Sequence, residues 1–183
     1  MRIIGGEAKG RRIKTCKGIR TRPTADRVKE TIFNLIGKSI SGVKVLDLFA
    51  GSGNLGLEAL SRGASEALFL DSSHPATSVV EENIRVLGFK ERAEVVRGDV
   101  FRFIPWLARR DRRFGIVFAD PPYDRGFAQK TVRLLDRFPI VEEDGMVVVE
   151  HSKREAIQPG TFLTHRKRAF GDTIVTILVR EER

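Results

Sequence analysis

The tetrapeptide Asp120-Pro121-Pro122-Tyr123 follows directly on an apolar run, Phe114-Gly115-Ile116-Val117-Phe118-Ala119. The prolines fix the backbone and carry no N–H. The tetrapeptide therefore offers a carboxylate, one or two fixed carbonyl oxygens and an aromatic face, which are acceptors arranged around a plane. That set suits a planar amine. The exocyclic nitrogen of a nucleobase has its lone pair drawn into the ring and is a poor nucleophile. Accepting both its hydrogens, at the Asp120 carboxylate and the Pro121 carbonyl, frees the lone pair, while Tyr123 stacks on the base and fixes its plane. Guanine N2 and adenine N6 satisfy these acceptors equally well. Taken alone, the tetrapeptide could also be a rigid surface turn.

A second constellation lies upstream in Asp47-Leu48-Phe49-Ala50-Gly51-Ser52-Gly53-Asn54-Leu55-Gly56, where Gly51, Gly53 and Gly56 match G-x-G-x-x-G and Asp71 follows 20 residues after Gly51. The pattern is the dinucleotide fingerprint, but any nucleoside-binding sheet needs a tight turn and close backbone approach there. Asp47 argues against a pyrophosphate, which its carboxylate would repel. A cofactor bearing a sulfonium and an ammonium would welcome it: at about 4 Å and an effective dielectric near 20, a unit pair is worth about 4 kcal/mol before desolvation. S-adenosylmethionine fits that description, giving S-adenosylhomocysteine as product. Asp71 would accept from ribose hydroxyls, or else cap the following helix. Asp99, in Gly98-Asp99-Val100, would accept from the adenine amine, or likewise cap a helix. No metal or covalent nucleophile is needed, because the remaining catalysis is in-line alignment of nitrogen, methyl and sulfur.

These residues need a sheet to position them. Apolar runs at Val43–Phe49, Ala67–Leu70, Ala93–Val96, Gly115–Ala119 and Met146–Val149 alternate with amphipathic stretches at Leu55–Arg62, Ala76–Leu87, Phe101–Arg109 and Phe127–Phe138. Runs apolar on both faces, separated by helix-length segments, predict an α/β fold with a doubly wound, mostly parallel sheet. Thr161–Thr164 and Thr173–Val179 have only a turn at Gly171-Asp172 and no helix between them, which predicts two antiparallel closing strands. Ahead of the sheet, residues 1–37 read as an extension that does not fold independently: a glycine-turned hairpin, then a helix opening at Pro23 or Thr24, with Val28, Ile32, Leu35 and Ile36 as its stripe and Gly37 as its stop. Residues 38–183 read as the catalytic domain.

The net charge is +9, divided as +7 over residues 1–37, −1 over 38–150 and +3 over 151–183. A near-neutral body with basic ends implies a polyanionic partner met by the termini. One cysteine, Cys16, excludes a disulfide framework and a multi-cysteine metal site. No apolar run reaches membrane-helix length and the N-terminus lacks a signal h-region, so the expectation is a cytoplasmic protein without membrane association. The three histidines, His74, His151 and His165, are scattered and read as structural or surface groups. Trp106, on a helix with Phe103, reads as packing.

Asp-x-Phe-Ala-Gly-x-Gly followed by Asp-Pro-Pro-Tyr resembles the S-adenosylmethionine-dependent amino-methyltransferases. Met1-Arg2-Ile3-Ile4-Gly5-Gly6, Gly10-Arg11-Arg12-Ile13, Thr21-Arg22-Pro23-Thr24 and Val28-Lys29-Glu30-Thr31-Ile32-Phe33-Asn34 narrow the resemblance to bacterial 16S rRNA (guanine-N2)-methyltransferases of the RsmD type. Phe170-Gly171-Asp172-Thr173 is similar to the family's tail, with phenylalanine where tyrosine is more usual. The resemblance spans nearly the whole chain. It implies a seven-stranded methyltransferase fold and methyl transfer to guanine N2 in 16S rRNA, within the small ribosomal subunit or its assembly intermediate. Cofactor contacts then fall on Asp47, Phe49, Ala50, Gly51, Ser52, Gly53, Asp71, Ser72, Gly98, Asp99, Val100 and Asp120, and catalysis on Asp120, Pro121, Pro122 and Tyr123. Arg2, Lys9, Arg11, Arg12, Lys14, Arg20 and Arg22 would meet RNA phosphates, which position the RNA rather than read it. The chain is expected to act as a monomer.

Four other readings compete. A DNA adenine-N6 methyltransferase shares the chemistry, but only about 40 residues precede the sheet, too few for a separate recognition domain. Protein-glutamine methyltransferases usually begin the motif with asparagine. A nicotinamide oxidoreductase requires a hydride-transfer residue, for which the sequence offers no candidate. A non-catalytic RNA-binding module would have no use for Asp120.

Overall fold

The computed structural model describes residues 1–16 and 23–180. Seven strands form one sheet: β1 (Lys44–Leu48), β2 (Glu66–Asp71), β3 (Ala93–Arg97), β4 (Phe114–Ala119), β5 (Val141–Ser152), β6 (Phe162–Phe170) and β7 (Thr173–Arg180). Helices α1 (Pro23–Ile36), α2 (Asn54–Ser61), α3 (His74–Leu87), α4 (Val100–Ala108) and α5 (Phe127–Arg137) cover it. The strand order is β3-β2-β1-β4-β5-β7-β6, parallel from β3 through β5, with β7 antiparallel to both of its neighbours. The chain winds outward from β1 in one direction and from β4 in the other. The crevice for a ligand therefore opens at the carboxyl ends of these two strands.

Burial explains the sequence pattern. Every residue of β4 is buried, because helices cover both of its faces. On one face α1, α2 and α3 bring Ile32, Phe33, Leu57, Leu60 and Val80 onto Phe69, Phe118, Val148 and Ile177. On the other, α4 and α5 bring Ile104, Leu107, Val132 and Leu135 onto Leu46, Leu48, Val117 and Val149. Each such side chain contributes about 1.5–3 kcal/mol when fully buried. Among the described residues no helix is long and apolar enough to cross a membrane.

The N-terminal residues turn back on themselves as a short hairpin. Ile3 N–H donates to the Arg11 carbonyl (3.0 Å) and Gly10 N–H to that of Ile3 (2.8 Å), with an antiparallel bridge between Arg2 and Arg12. Its apolar residues Ile3, Ala8 and Ile13 are buried in the same core as α1 and α2. Gly6 is obligatory: its φ is +75°, and a Cβ there would lie 1.7 Å from the Ser61 carbonyl oxygen. Gly37, at φ 60°, ends α1 as expected, and a single 3-10 turn follows it.

Three elements differ from the sequence reading. β5 runs from Val141 to Ser152 rather than Met146–Val149, and its added N-terminal part carries Glu142, Glu143 and Asp144. β6 covers Phe162–Phe170 rather than Thr161–Thr164. It is an edge strand exposed along nearly its whole length, so no apolar alternation marks it. β3, also an edge, is only half buried rather than covered on both faces.

Candidate active site

The loop after β1 is held open by backbone geometry. Phe49, Gly51 and Gly53 have φ of 61°, 58° and 77°, so three of five consecutive residues occupy left-handed conformations. A Cβ on Gly51 would meet nothing closer than the Phe49 carbonyl oxygen at 4.0 Å, so this glycine leaves free space at the crest of the loop. Gly56 serves packing instead: a Cβ there would lie 2.3 Å from the Phe69 ring. Asp71, at the end of β2, accepts from Gly51 N–H (2.8 Å) through one carboxylate oxygen and from Ser73 N–H (2.9 Å) through the other. It does not cap α3, because Ser73 occupies the cap position and accepts from Ala76 N–H. Asp99 does cap α4, accepting from Arg102 N–H at 3.0 Å through Oδ1. The same side chain is exposed, which leaves Oδ2 available to a ligand.

Asp47 is 2% exposed and accepts from Gly56 N–H (2.9 Å) at the N-terminus of α2. Burial raises its carboxyl pKa to about 7 against the relief of that hydrogen bond, and neighbouring Asp71 raises it further. Asp120 follows β4 directly, two residues beyond Phe118, the partner of Asp47 across the β1–β4 pair. Dense surrounding protein, then Glu150, then Asp47 push the Asp120 carboxyl well above the ordinary range. Its surface is nonetheless open to water at the mouth of the crevice. Pro121 is buried and Pro122 exposed.

Tyr123 is fixed at its hydroxyl, which donates to Glu150 Oε1 (2.7 Å) and lies 2.9 Å from Thr173 Oγ1. Burial, then the Glu150 carboxylate, raise the phenol pKa, so Tyr123 stays protonated. Burial likewise raises Glu150, while the Tyr123 hydrogen bond lowers it. Asp71, Asp47, Asp120 and Glu150 thus form a continuous acidic arc, and among the described residues none of the four is ion-paired with a cation. Phe49, half buried, stacks edge-on to Phe101 with ring centroids 6.2 Å apart. Ala50, Ser52 and Val100 are buried, Gly98 is half buried and Ser72 is exposed beside Asp71.

The basic N-terminal residues divide. Arg2, Lys9 and Arg12 are exposed. Arg11 caps the C-terminus of α3 through the Val86 and Leu87 carbonyls, and Lys14 pairs with Glu82. Arg20 and Arg22 lie outside the described residues. His151 is buried between Thr176 Oγ1 and the Ser152 carbonyl, each at 3.0 Å. Trp106 stacks on Phe103 with centroids 4.8 Å apart, under Arg110.

Sequence reading missed Glu150 and Asn83. Glu150 closes the apolar run Met146–Val149, so the rule that ligands meet strand carboxyl ends, applied to β5 as it was to β4, would have found it. Asn83 is 1% exposed and satisfied on all sides. Its amide donates to the Ser52 carbonyl (2.9 Å) and the Lys14 carbonyl (3.0 Å), and its oxygen accepts from Lys14 N–H (2.8 Å). It ties the glycine loop to the N-terminal segment, and nothing in its local spacing on α3 marks it.

Comparisons with known proteins show the family. The family described as "Conserved hypothetical protein 95" matches residues 1–179. The Bacillus subtilis (strain 168) protein named "Putative rRNA methyltransferase YlbH" is 41% identical over 179 residues, covering 97% of each chain. "Ribosomal RNA small subunit methyltransferase D" of Escherichia coli (strain K12) is 34% identical, covering 99% of this chain and 90% of that protein. Among solved structures, "Putative methyltransferase yhhF from Escherichia coli" superposes with a TM-score of 0.87 at 34% identity, covering 100% of this chain and 99% of the other. The match along almost the whole length establishes that this chain belongs to the small-subunit ribosomal RNA methyltransferase D family.

Proposed function

We propose that this protein methylates the N2 amine of a guanine in 16S rRNA, using S-adenosylmethionine, in the cytoplasm and on the small ribosomal subunit or its assembly intermediate. The observation that carries the reading is the acidic arc: four carboxylates around a glycine cradle, with acceptors only at Asp120-Pro121-Pro122. Family membership supports the RNA substrate, and the guanine N2 position rests on the family alone.

The residues present fit such a cofactor. The free space at Gly51 and the uncompensated negative charge suit a cationic nucleoside, whereas a pyrophosphate would meet repulsion from Asp47. When bound, S-adenosylmethionine supplies a methyl group activated by its sulfonium. Asp71 retains lone pairs for ribose hydroxyls, and Asp99 Oδ2 for the adenine amine. Phe49, Ala50, Ser52, Gly53, Ser72, Gly98 and Val100 form the surrounding loop walls. Asp47 places negative charge behind the glycine loop, its ionised form favoured by a bound cation.

Asp120 and the Pro121 carbonyl accept the two hydrogens of the target amine. Pro122 holds that backbone rigid, and Tyr123 stacks on the base, its ring fixed through Glu150 and Thr173. Asp120 accepts in its ionised form, and surroundings that raise its pKa make that carboxylate a stronger base for the proton the nitrogen releases. The base must leave its helical stack to reach this corner. Arg2, Lys9 and Arg12 are placed to meet phosphates, and the chain is read as acting as a monomer. The test is transfer of labelled methyl to small subunits lacking the modification, followed by nucleoside identification. Label in N2-methylguanosine supports the reading, and label in methyladenosine or on DNA alone refutes it.

A further inference from the structure

Resting on the RNA-methyltransferase reading, we infer that β6, the exposed edge strand that ends beside the catalytic corner, is a second RNA-backbone-binding surface. Phosphates would be held by Arg166, Lys167 and Arg168. The sequence assigns the RNA contacts to the N-terminal segment, yet the strongest uninterrupted basic run among the described residues is here. Phe162–Phe170 reads FLTHRKRAF and contains no acid, and every residue from Leu163 to Ala169 is exposed.

Topology connects this run to the chemistry. β6 runs parallel to β5, because both are antiparallel to β7. Its carboxyl end therefore lies at the same end of the sheet as Asp120 and Glu150. Phe170 pairs with Thr173, the residue whose hydroxyl touches Tyr123. At about 3.4 Å per residue, Arg168 and Arg166 stand about 7 and 14 Å along the strand from Phe170. That reach suits nucleotides flanking a base inserted beside Tyr123. On the other side, α1 packs against β6 and also holds the hairpin, through the Lys29 ammonium on the Arg2 carbonyl (2.6 Å). One helix thus links the two basic surfaces.

The charges are available. Acids near the turn are matched by other cations, Lys153 with Asp172 and Arg154 with Asp124. Among the described residues Arg166, Lys167 and Arg168 form no ion pair; Arg168 donates only to the Lys167 carbonyl, at 3.1 Å. A register shift between Thr164 and Arg166 marks a bulge, a device that re-aims edge side chains. The rival explanation is that these charges only prevent edge-to-edge pairing with another sheet. It accounts for charge on the strand, but not for a run of one sign that terminates at the catalytic corner.

The experiment compares the parent chain with R166Q/K167Q/R168Q, which keeps a polar edge, and with R166K/R168K, which keeps the charge. Steady-state methyl transfer to unmethylated small subunits and filter binding of a 16S rRNA fragment are measured over a potassium chloride series, with cofactor binding as a folding control. The expected result for the glutamine variant is a KM for the subunit raised about tenfold or more, with kcat and cofactor affinity unchanged. Its salt slope should be shallower by about two units, and the lysine variant should stay near the parent. Unchanged RNA affinity and salt slope in the glutamine variant overturn the inference, and self-association of that variant on gel filtration would then assign the charges to edge protection. Failure of the parent chain itself to methylate RNA refutes the proposed function, and the inference with it. A parent that methylates RNA beside an unaffected glutamine variant refutes the inference alone.

Discussion

Charge is concentrated at two places in this fold, and the two are built in opposite ways. Beneath the N-terminal segment, Lys29 (1% exposed) faces Glu58 (0%) at 3.1 Å, and Glu58 also holds Arg62 at 2.8 Å. The Lys29 ammonium donates to the Arg2 carbonyl and, at 2.8 Å, to Asn54 Oδ1, while Ile4 N–H donates to Glu58 at 2.8 Å. Every charge there has an opposite partner and hydrogen bonds. At the strand ends, Asp47, Asp71, Asp120 and Glu150 crowd like charges together and accept only from N–H and O–H groups. A compensated cluster holds the N-terminal segment to α2 and asks nothing of a ligand. An uncompensated one concentrates electrostatic repulsion that the proposed cationic cofactor and hydrogen-bond-donating amine would relieve.

Breaking the compensated cluster produces the largest expected effect. Lys29→Ala leaves Glu58 buried against a single partly exposed arginine and should cost about 3–5 kcal/mol of folding stability, read by urea denaturation. Lys29→Met combined with Glu58→Gln should recover most of that loss, because no fully buried charge then remains, and Arg62, which loses Glu58, is partly exposed to water. Full stability of Lys29→Ala would mean that the two regions do not differ as described.

The uncompensated cluster should respond in the opposite sense. Asp120→Ala removes a like charge, so it should fold as well as the parent or better while losing about a hundredfold to a thousandfold in kcat. Cofactor binding, followed by calorimetry, should persist. A variant that loses stability together with activity would place Asp120 among the structural charges.

Glu150→Gln sharpens the distinction within the arc. It keeps an acceptor for the Tyr123 hydroxyl but removes a charge that raises Asp120. The pH at which kcat/KM turns should therefore move downward, with a loss in kcat of about tenfold or less. An unmoved profile would show that Glu150 acts on Tyr123 alone.

The smallest effect concerns pH and Asp47. Its folded pKa, about 7, exceeds the unfolded value of 3.8, so the folded state binds the proton more tightly. Its contribution is therefore fully present below about pH 4 and is lost as pH rises through 7. Cofactor binding, which favours ionised Asp47, should release a proton and strengthen over the same interval. Asp47→Asn should flatten both dependences, measured by thermal melts and by calorimetry in buffers of different ionisation enthalpy.

The same contrast explains what was legible in the sequence. β1, β2 and β4 could be read because strands covered on both faces are continuously apolar, and acids at their ends then stand out. Asp47, Asp71 and Asp120 stood out in this way, and Asp99 stood out after β3, whose run is apolar enough to read although its faces are only half covered. β6 was cut short because an exposed basic edge strand has no apolar period to detect, and Thr164 looked like its end. Lys29 and Glu58 were invisible because their pairing joins elements 29 residues apart. Lys29 also occupies the position in α1 immediately after the apolar Val28, where a surface lysine would be equally at home. Asn83 was missed for the same reason: its three hydrogen bonds reach back to Ser52 and Lys14, a closure set by tertiary structure alone. Local pattern picked out the acids proposed for the site and hid the contacts that hold the N-terminal segment against the sheet.

The most direct test incubates the parent chain and Asp120→Ala with methyl-labelled S-adenosylmethionine and small ribosomal subunits lacking the modification, then digests the rRNA and identifies the labelled nucleoside. The account predicts label in N2-methylguanosine with the parent chain and almost none with Asp120→Ala, although both bind the cofactor. Equal labelling by the two proteins, or label confined to another nucleoside, would contradict it.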